Sequence, residues 1–526
     1  MRRTIAALAC VALTLTACNA DRAEDAGDTT ERHASDAARP PGVADESASD
    51  VDALPEPREA FPFDVTFADH GVAGFVATRD LARSTFATDA DTASFALAQA
   101  WLDERGVLPP AEAIRPEEWV NAVDHDYPDP APGDTWRVES DLGAPWWTPA
   151  DEQATQLLRV GIQGVRDVER RPVVVTLVVD TSGSMSFGDR LSLVQDAVFG
   201  LLAGLGPEDR VALVEYGTTA RTLVEPTADL EAVAEAVRGL SPSGSTNAEE
   251  GLRRGFELAR GAHDPEATNT VVLLSDGVAN VGATGPDEIL ERVVAEAADG
   301  ITLHSVGVGM DNYHDVLLER LANDAGGSYA YIDRPGEAAE LFAGTLPVLD
   351  PIAHDVKAQV ELDPAAVVSW RLVGYENRLL AEEDLRDDTV GGGYVGAGHS
   401  VTALYELELV DDATPADELG AVTIVWDDPA SGEGRELTTP LVPAAAEEGT
   451  FATAAGVAAA AEHLRGSPHV TVDLAEVADR LAATGRPADA RLADLVRRAE
   501  GAAQPTSPPR QQVDPPGITV EDRTDG

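Results

Sequence analysis

The spacing of apolar and polar positions divides this chain into stretches of different character. The clearest stretch runs from Pro172 to about Gly344. It opens on Val173-Val174-Val175-Thr176-Leu177-Val178-Val179, an unbroken β-branched run of the kind expected in a strand buried on both faces. Leu191, Val194, Val198, Leu201 and Leu205 then mark a helix. A strand over 211–216, a helix over 230–237 and a helix marked by Leu252, Phe256 and Ala259 follow. The alternation continues with a strand over 270–274, a helix over 286–297, a strand over 301–306, a helix over 316–322 and a strand over 329–332. Strands and helices alternating at these lengths predict a doubly wound, mostly parallel, Rossmann-like α/β domain over 172–344, with right-handed crossovers.

On either side the pattern changes. In the region 61–171, Phe95, Ala98, Trp101 and Leu102 share one face of a helix over 92–105 that Gly106 can stop. Pro116 opens a short helix to 123, because a first-turn proline gives up an N–H that has no intrahelical partner anyway. Strands are expected over 136–139 and 157–162. The region 345–503 is β-rich and then helical, with strands over 356–362, 368–372, 401–409 and 422–426 and helices over 451–464, 474–483 and 491–498. The flanking regions either build one β-rich body into which the α/β domain is inserted, or form independent bodies; the sequence alone leaves both open.

At 526 residues the chain calls for two or three cores. Residues 18–60 are rich in Asp, Glu, Ala, Thr and Pro and poor in aromatics, and read as a disordered acidic tether that cannot bury enough apolar surface to offset its ordering entropy. Residues 504–526, with paired prolines and charges, read as a disordered tail. The 38 basic and 93 acidic residues give a formal net charge of −55, and Lys357 is the single lysine. Such a surface repels nucleic acid and anionic lipid headgroups and favours cations.

Residues 1–17 read as an export signal, with Arg2 and Arg3, a short apolar core that includes Cys10, and small residues after it. Leu15-Thr16-Ala17-Cys18 resembles the lipobox of bacterial lipoproteins, in which the cysteine carries the lipid. Cys18 is thus the expected lipidation site, and an exported, extracytoplasmic chain held at the envelope membrane by that lipid alone is the expected location. No later apolar run is long enough to cross a bilayer.

The candidate chemistry lies at the predicted strand and helix ends. Asp180-Thr181-Ser182-Gly183-Ser184 follows the first strand, Thr246 precedes a helix, and Asp276-Gly277 follows a later strand. In an open α/β sheet these positions share the rim beyond the carboxyl ends of the strands. They offer hard oxygens without sulfur or imidazole, the donors that Mg²⁺ prefers, with Mn²⁺ or Ca²⁺ as alternatives. Each also has a plainer reading. Ser182 and Ser184 can shape a turn and cap a helix, Thr246 with Glu249 fits a capping box, and Asp276-Gly277 is a common turn pair. Met185 and Asp189 read as loop and helix-start residues. His125, His263, His314 and His354 each precede an aspartate but are scattered, and read as turn and surface residues. Gly391-Gly392-Gly393 reads as a flexible turn. No nucleophile elbow and no phosphate-cradling loop occurs.

Asp180, Ser182, Ser184, Thr246 and Asp276 together resemble the metal-ion-dependent adhesion site (MIDAS) of von Willebrand factor type A domains, matching it at every position and in the order of elements. The resemblance extends to the flanks. Ser84 to Phe95, Ile162-Gln163-Gly164, Gly374 to Arg378, Gly396 to Tyr405 and Leu464-Arg465-Gly466-Ser467-Pro468 are similar to the corresponding parts of YfbK-type bacterial lipoproteins. It implies that Ser182, Ser184 and Thr246 offer neutral hydroxyls to the cation, while Asp180 and Asp276 act partly through water or hydrogen bonds. It implies a non-enzymatic module whose cation accepts an Asp or Glu carboxylate from a protein partner. An envelope scaffold with a structural metal and a Mg²⁺-dependent hydrolase are the alternatives. Asp180→Ala is expected to abolish cation-dependent binding and leave the fold intact.

Overall fold

The β-branched run over 173–179 becomes the strand Val173–Asp180 in the middle of a six-stranded sheet. The computed structural model describes residues 70–505, apart from several internal stretches of which 278–299 is the longest, together with 512–513. The export segment, Cys18, the tether, most of the tail, the helix expected over 286–297 and His314 lie outside the described residues.

The central sheet runs Tyr329–Ile332, Thr302–Val308, Thr268–Ser275, Val173–Asp180, Arg210–Tyr216, Ala220–Thr227. Its first five strands are parallel, and Ala220–Thr227 is an antiparallel edge. The pleat sends alternate residues of the first strand to opposite faces. Val173, Val175, Leu177 and Val179 pack with Leu193, Val198 and Leu201 of helix Arg190–Gly204 and Val233 of helix Leu230–Arg238. Val178 points the other way, among Leu252 and Phe256 of helix Ala248–Ala262 and Leu318 and Leu321 of helix Asp315–Asp324. Both faces are therefore dry, which is why the strand reads as continuous rather than alternating hydrophobicity. This is the expected α/β fold. The edge strand Ala220–Thr227 was not expected: its half-exposed Ala-Arg-Thr-Leu-Val-Glu-Pro-Thr carries no buried run to signal it.

The chain on the two sides of this unit interleaves. One antiparallel sheet has the order Leu379–Leu380, Arg83–Ala87, Pro351–Leu362, Gly420–Asp427, Gly434–Leu441, with Gly393–Gly396 also on Pro351–Leu362. The second has Ala444–Ala445, Trp136–Gly143, Gln156–Gly164, Ser400–Leu409, Val367–Leu372, Val76–Ala77. Strands from before Pro172 are hydrogen-bonded to strands from after residue 350 in both sheets. The α/β unit is thus inserted into one β-rich body. Phe86, Val360 and Ile424 of the first sheet share a core with Val160, Trp370 and Tyr405 of the second. Against the second sheet's other face lies helix Thr450–Leu464, alanine-rich and buried nearly all round. Gly393 opens a strand, so the glycine triplet is not simply a turn at that end.

Several contacts lock the inserted unit in place. Leu97 and Trp101 of helix Ala93–Arg105 join the cluster of Leu303 and Tyr329. Buried Arg115 bridges Glu118 at 2.9 Å and, across the junction, Glu319 at 3.0 Å. The sole lysine is also internal: Lys357 donates to Asp355 Oδ2 and to the Asp387 carbonyl, each at 2.9 Å.

His125 and His354 correct the turn-and-surface reading, whereas His263 is exposed as expected. His125 is 2 % exposed and its Nε2 lies 2.9 Å from the Val120 carbonyl oxygen. His304, fully buried on strand Thr302–Val308, accepts at Nδ1 from the Ser328 backbone N–H and meets Tyr394 edge-on, ring centroids 4.9 Å apart. Tyr394 stacks on His354 at 4.8 Å, so the three rings join the inserted unit to the β-rich body. Burial lowers both ring pKa values, for His125 to about 4 and for His304 to about 3, with the neighbouring His354 adding to the latter. The sign follows from linkage. Below about pH 6.5 the unfolded chain takes up protons that these buried rings refuse, so stability falls as pH drops from about 6.5 toward 4. Each ring contributes up to about 1.4 kcal/mol per pH unit. Denaturant melts across that range should show the slope. His304→Asn, whose side-chain oxygen can take the Ser328 N–H, should flatten it; an unchanged slope would contradict the assignment.

Candidate metal centre

The sheet places the five predicted residues on one rim. Asp180 ends its strand and is fully buried. Its Oδ1 accepts from the Ser182 backbone N–H at 2.8 Å, an Asx-type turn that bends the chain out of the strand. Its Oδ2 accepts from the Ser275 hydroxyl at 2.8 Å and the Tyr216 hydroxyl at 3.3 Å. Burial pushes this carboxyl above the ordinary aspartate value; the Ser182 N–H opposes that, and the Asp276 charge adds to it.

Beyond Asp180 the side chains are linked in series. The Ser184 hydroxyl donates to Asp276 Oδ1 at 3.0 Å, and the Ser182 and Ser184 hydroxyl oxygens are 3.0 Å apart. Ser184 has one proton, spent on the carboxylate, so Ser182 is the donor of the pair. A hydroxyl turned this way keeps lone-pair capacity for a cation. Asp276, directly after strand Thr268–Ser275, is 3 % exposed and accepts at Oδ2 from buried Arg190 at 2.6 Å.

Thr246 arrives on a separate loop. Ser243 N–H bonds the Thr181 carbonyl at 2.7 Å and Gly183 N–H bonds the Gly244 carbonyl at 3.0 Å, which stitches 243–244 to the aspartate–serine turn. Gly244 has φ +80, and a Cβ there would lie 2.4 Å from Thr218 Oγ1, so the loop needs glycine at this point. Thr246 is buried two residues further on.

The turn readings hold, and the helix-cap position falls elsewhere. The cap of helix Ala248–Ala262 is Asn247, whose side chain accepts from the Glu250 N–H at 3.2 Å; Thr246 lies one residue before it. Ser182 makes no side-chain cap bond to the short 3₁₀ turn Gly183–Ser186; Asp189 stands at the start of helix Arg190–Gly204, as read, without a side-chain cap bond. Met185 is buried, as a loop anchor. The expectation that Asp180→Ala spares the fold needs correction. That carboxylate satisfies three buried donors, and alanine would strand them.

Among the described residues no group of three or more His, Cys, Asp or Glu side chains is placed to hold a metal ion. The rim cluster is of another kind, two carboxylates with two serine hydroxyls beside the loop that carries Thr246. It fits a hard dication: a carboxylate held in a dry setting beside a second carboxylate gains from a nearby positive charge, and the hydroxyls supply oxygens. Sequence reasoning missed Arg190. It lies in the first turn of a helix, where an isolated arginine gives no signal of its own.

Comparison with known proteins places the chain among related sequences. The family described as von Willebrand factor type A domain matches residues 175–278, and one described as von Willebrand factor matches 63–159. The family described as uncharacterized protein YfbK, C-terminal, matches 347–501. Uncharacterized protein YfbK of Escherichia coli (strain K12) is 34% identical over 424 residues, 74% of this chain and 72% of the relative. Uncharacterized protein sll0103 of Synechocystis sp. is 30% identical over 57% of this chain and 71% of its own length. Among solved structures, a von Willebrand factor type A protein from Catenulispora acidiphila aligns at 18% identity and a TM-score of 0.42, covering 67% of this chain and 87% of its own.

Proposed function

The chain belongs to the YfbK-type family of von Willebrand factor type A proteins, and on that premise we propose that it is a lipid-anchored, extracytoplasmic module that grips a protein partner through a divalent cation. The observation that carries this reading is the series Ser182–Ser184–Asp276 on the sheet rim with Asp180 buried behind it. Ser182, Ser184 and Thr246 would hold Mg²⁺, or Mn²⁺ or Ca²⁺ in its place, with Asp180 and Asp276 behind them. Bound there, the cation would supply a Lewis-acidic position for an Asp or Glu carboxylate of the partner.

The chain's own residues support binding rather than turnover. Asp180 is occupied by Ser182, Ser275 and Tyr216, and Asp276 by Arg190 and Ser184. Neither is poised to take a proton from a substrate, as a hydrolase base must be. The formal charge of −55 disfavours nucleic acid and anionic lipid headgroups as partners. Lipid on Cys18 would then be the only hold on the membrane; no described helix is long and apolar enough to cross one.

The test uses the full chain, recovered from native membranes in mild detergent with magnesium and again with EDTA. A partner retained in magnesium, released by EDTA and absent from a Ser184→Ala chain is the expected result. In the same cells a Cys18→Ser chain should leave the membrane fraction. An identical set of co-purifying proteins with and without magnesium would sink the adhesive reading. If EDTA then lowered only the melting temperature, the metal would be structural.

A further inference from the structure

Arg190 is built into the rim from two sides. It opens helix Arg190–Gly204, is 5 % exposed, and its Nη1 reaches Asp276 Oδ2 at 2.6 Å and the Ser184 carbonyl oxygen at 3.1 Å. Gly309, just past strand Thr302–Val308 with φ +82, makes room for it: a Cβ there would lie 2.4 Å from Arg190 Nε. One guanidinium thus ties the loop that carries Ser184 to the strand end that carries Asp276, and fixes which oxygen of Asp276 faces Ser184.

The consequence is one of charge. Asp180 and Asp276 bring −2 and Arg190 brings +1, a formal −1 that a dication turns into +1. Without the arginine the loaded site would be neutral. The chain as a whole carries −55, so its distant field repels an acidic partner. Screening in physiological salt confines that repulsion to about 8 Å, and the local sign decides at contact.

Resting on the metal reading above, we propose that Arg190 is a positioning and charge-setting residue of this centre. It orients Asp276 toward Ser184 and leaves the loaded site with one net positive charge, so the site favours an anionic carboxylate at the expense of cation affinity.

The experiment titrates Mn²⁺ into the full chain, followed by electron paramagnetic resonance, in acetate and in perchlorate at equal ionic strength. Binding is reciprocal, so the factor by which acetate tightens Mn²⁺ measures how well the loaded site takes a carboxylate. The wild-type chain should bind Mn²⁺ more tightly in acetate. Arg190→Gln should bind Mn²⁺ about tenfold more tightly in perchlorate and lose most of the gain from acetate, two effects of opposite sign. Arg190→Lys, which keeps the charge, should retain that gain. Affinity and acetate gain that both stay at wild-type values in Arg190→Gln, or that move in the same direction, would overturn the proposal and leave the metal reading standing. A wild-type chain that bound no Mn²⁺ in either buffer would overturn both.

Discussion

Asp180→Asn is expected to weaken Mg²⁺ binding by about 10–100-fold while leaving the melting temperature close to wild type, the usual range for losing a carboxylate that supports a metal from behind its direct ligands. The reasoning is local. An asparagine oxygen can still accept the Ser182 N–H, and the Ser275 and Tyr216 hydroxyls can turn to accept from its amide. What disappears is the charge, whose burial beside Asp276 raises the carboxyl's pKa and which a dication would stabilise. Asp180→Ala removes charge and acceptor together. It should lose the metal and also cost about 1–3 kcal/mol of stability, because three donors are left buried without a partner. Calorimetric Mg²⁺ titrations and urea melts of the two variants separate these effects. An asparagine variant that binds Mg²⁺ like wild type would show that Asp180 only shapes the turn.

Glu462→Ala should be the most damaging single substitution away from the rim, at about 3–5 kcal/mol, the range for removing one partner from a buried ionic network. Glu462 is fully buried on helix Thr450–Leu464. It accepts from Arg371 Nη1 at 3.2 Å, from the Ser467 hydroxyl at 2.7 Å and from Arg465. Arg371 also binds Glu406 at 2.8 Å, and Arg465 binds Glu376 at 3.0 Å. Burial by itself would raise the Glu462 carboxyl's pKa, but the two arginines overcome it and hold it at about 2. A pKa below the unfolded value stabilises the native state above about pH 4.5, and that contribution is lost as pH falls toward 2. This loss reinforces the weakening from His125 and His304 at higher pH. Replacing Glu462 takes one carboxylate from each of two buried guanidinium groups at the seam between sheet and helix, leaving Arg371 with Glu406 and Arg465 with Glu376. Chemical denaturation measures the cost. A loss below about 1 kcal/mol, the surface-pair level, would mean that water reaches the network.

How much of this was legible depended on whether the signal was local. The parallel strands announced themselves through β-branched runs buried on both faces, as in Val173–Asp180 and Thr268–Ser275. The rim oxygens could be found because an aspartate–serine turn, a threonine and a second aspartate each sit where an element begins or ends. Elements at edges were silent. Gly434–Leu441 is largely exposed and polar and carries Pro440, which an edge strand tolerates because it lacks a second neighbour. The insertion of the α/β unit was one of two readings left open, because strand partners such as Ser84 and Val360 are far apart in sequence and nothing local pairs them. The same distance hid the pairing of Arg371 with Glu462 and of Arg190 with Asp276, since neither residue of such a pair is unusual where it stands.

An adhesive centre requires side-chain oxygens from three loops to surround one ion at the sheet rim. A crystal grown or soaked in Mn²⁺ and measured at the manganese absorption edge decides it directly. The expected result is one anomalous peak within about 2.0–2.3 Å of the Ser182, Ser184 and Thr246 hydroxyl oxygens, with Asp180 and Asp276 just behind them. A featureless rim at saturating Mn²⁺, with the serine hydroxyls still bonded only to each other and to Asp276, would contradict it.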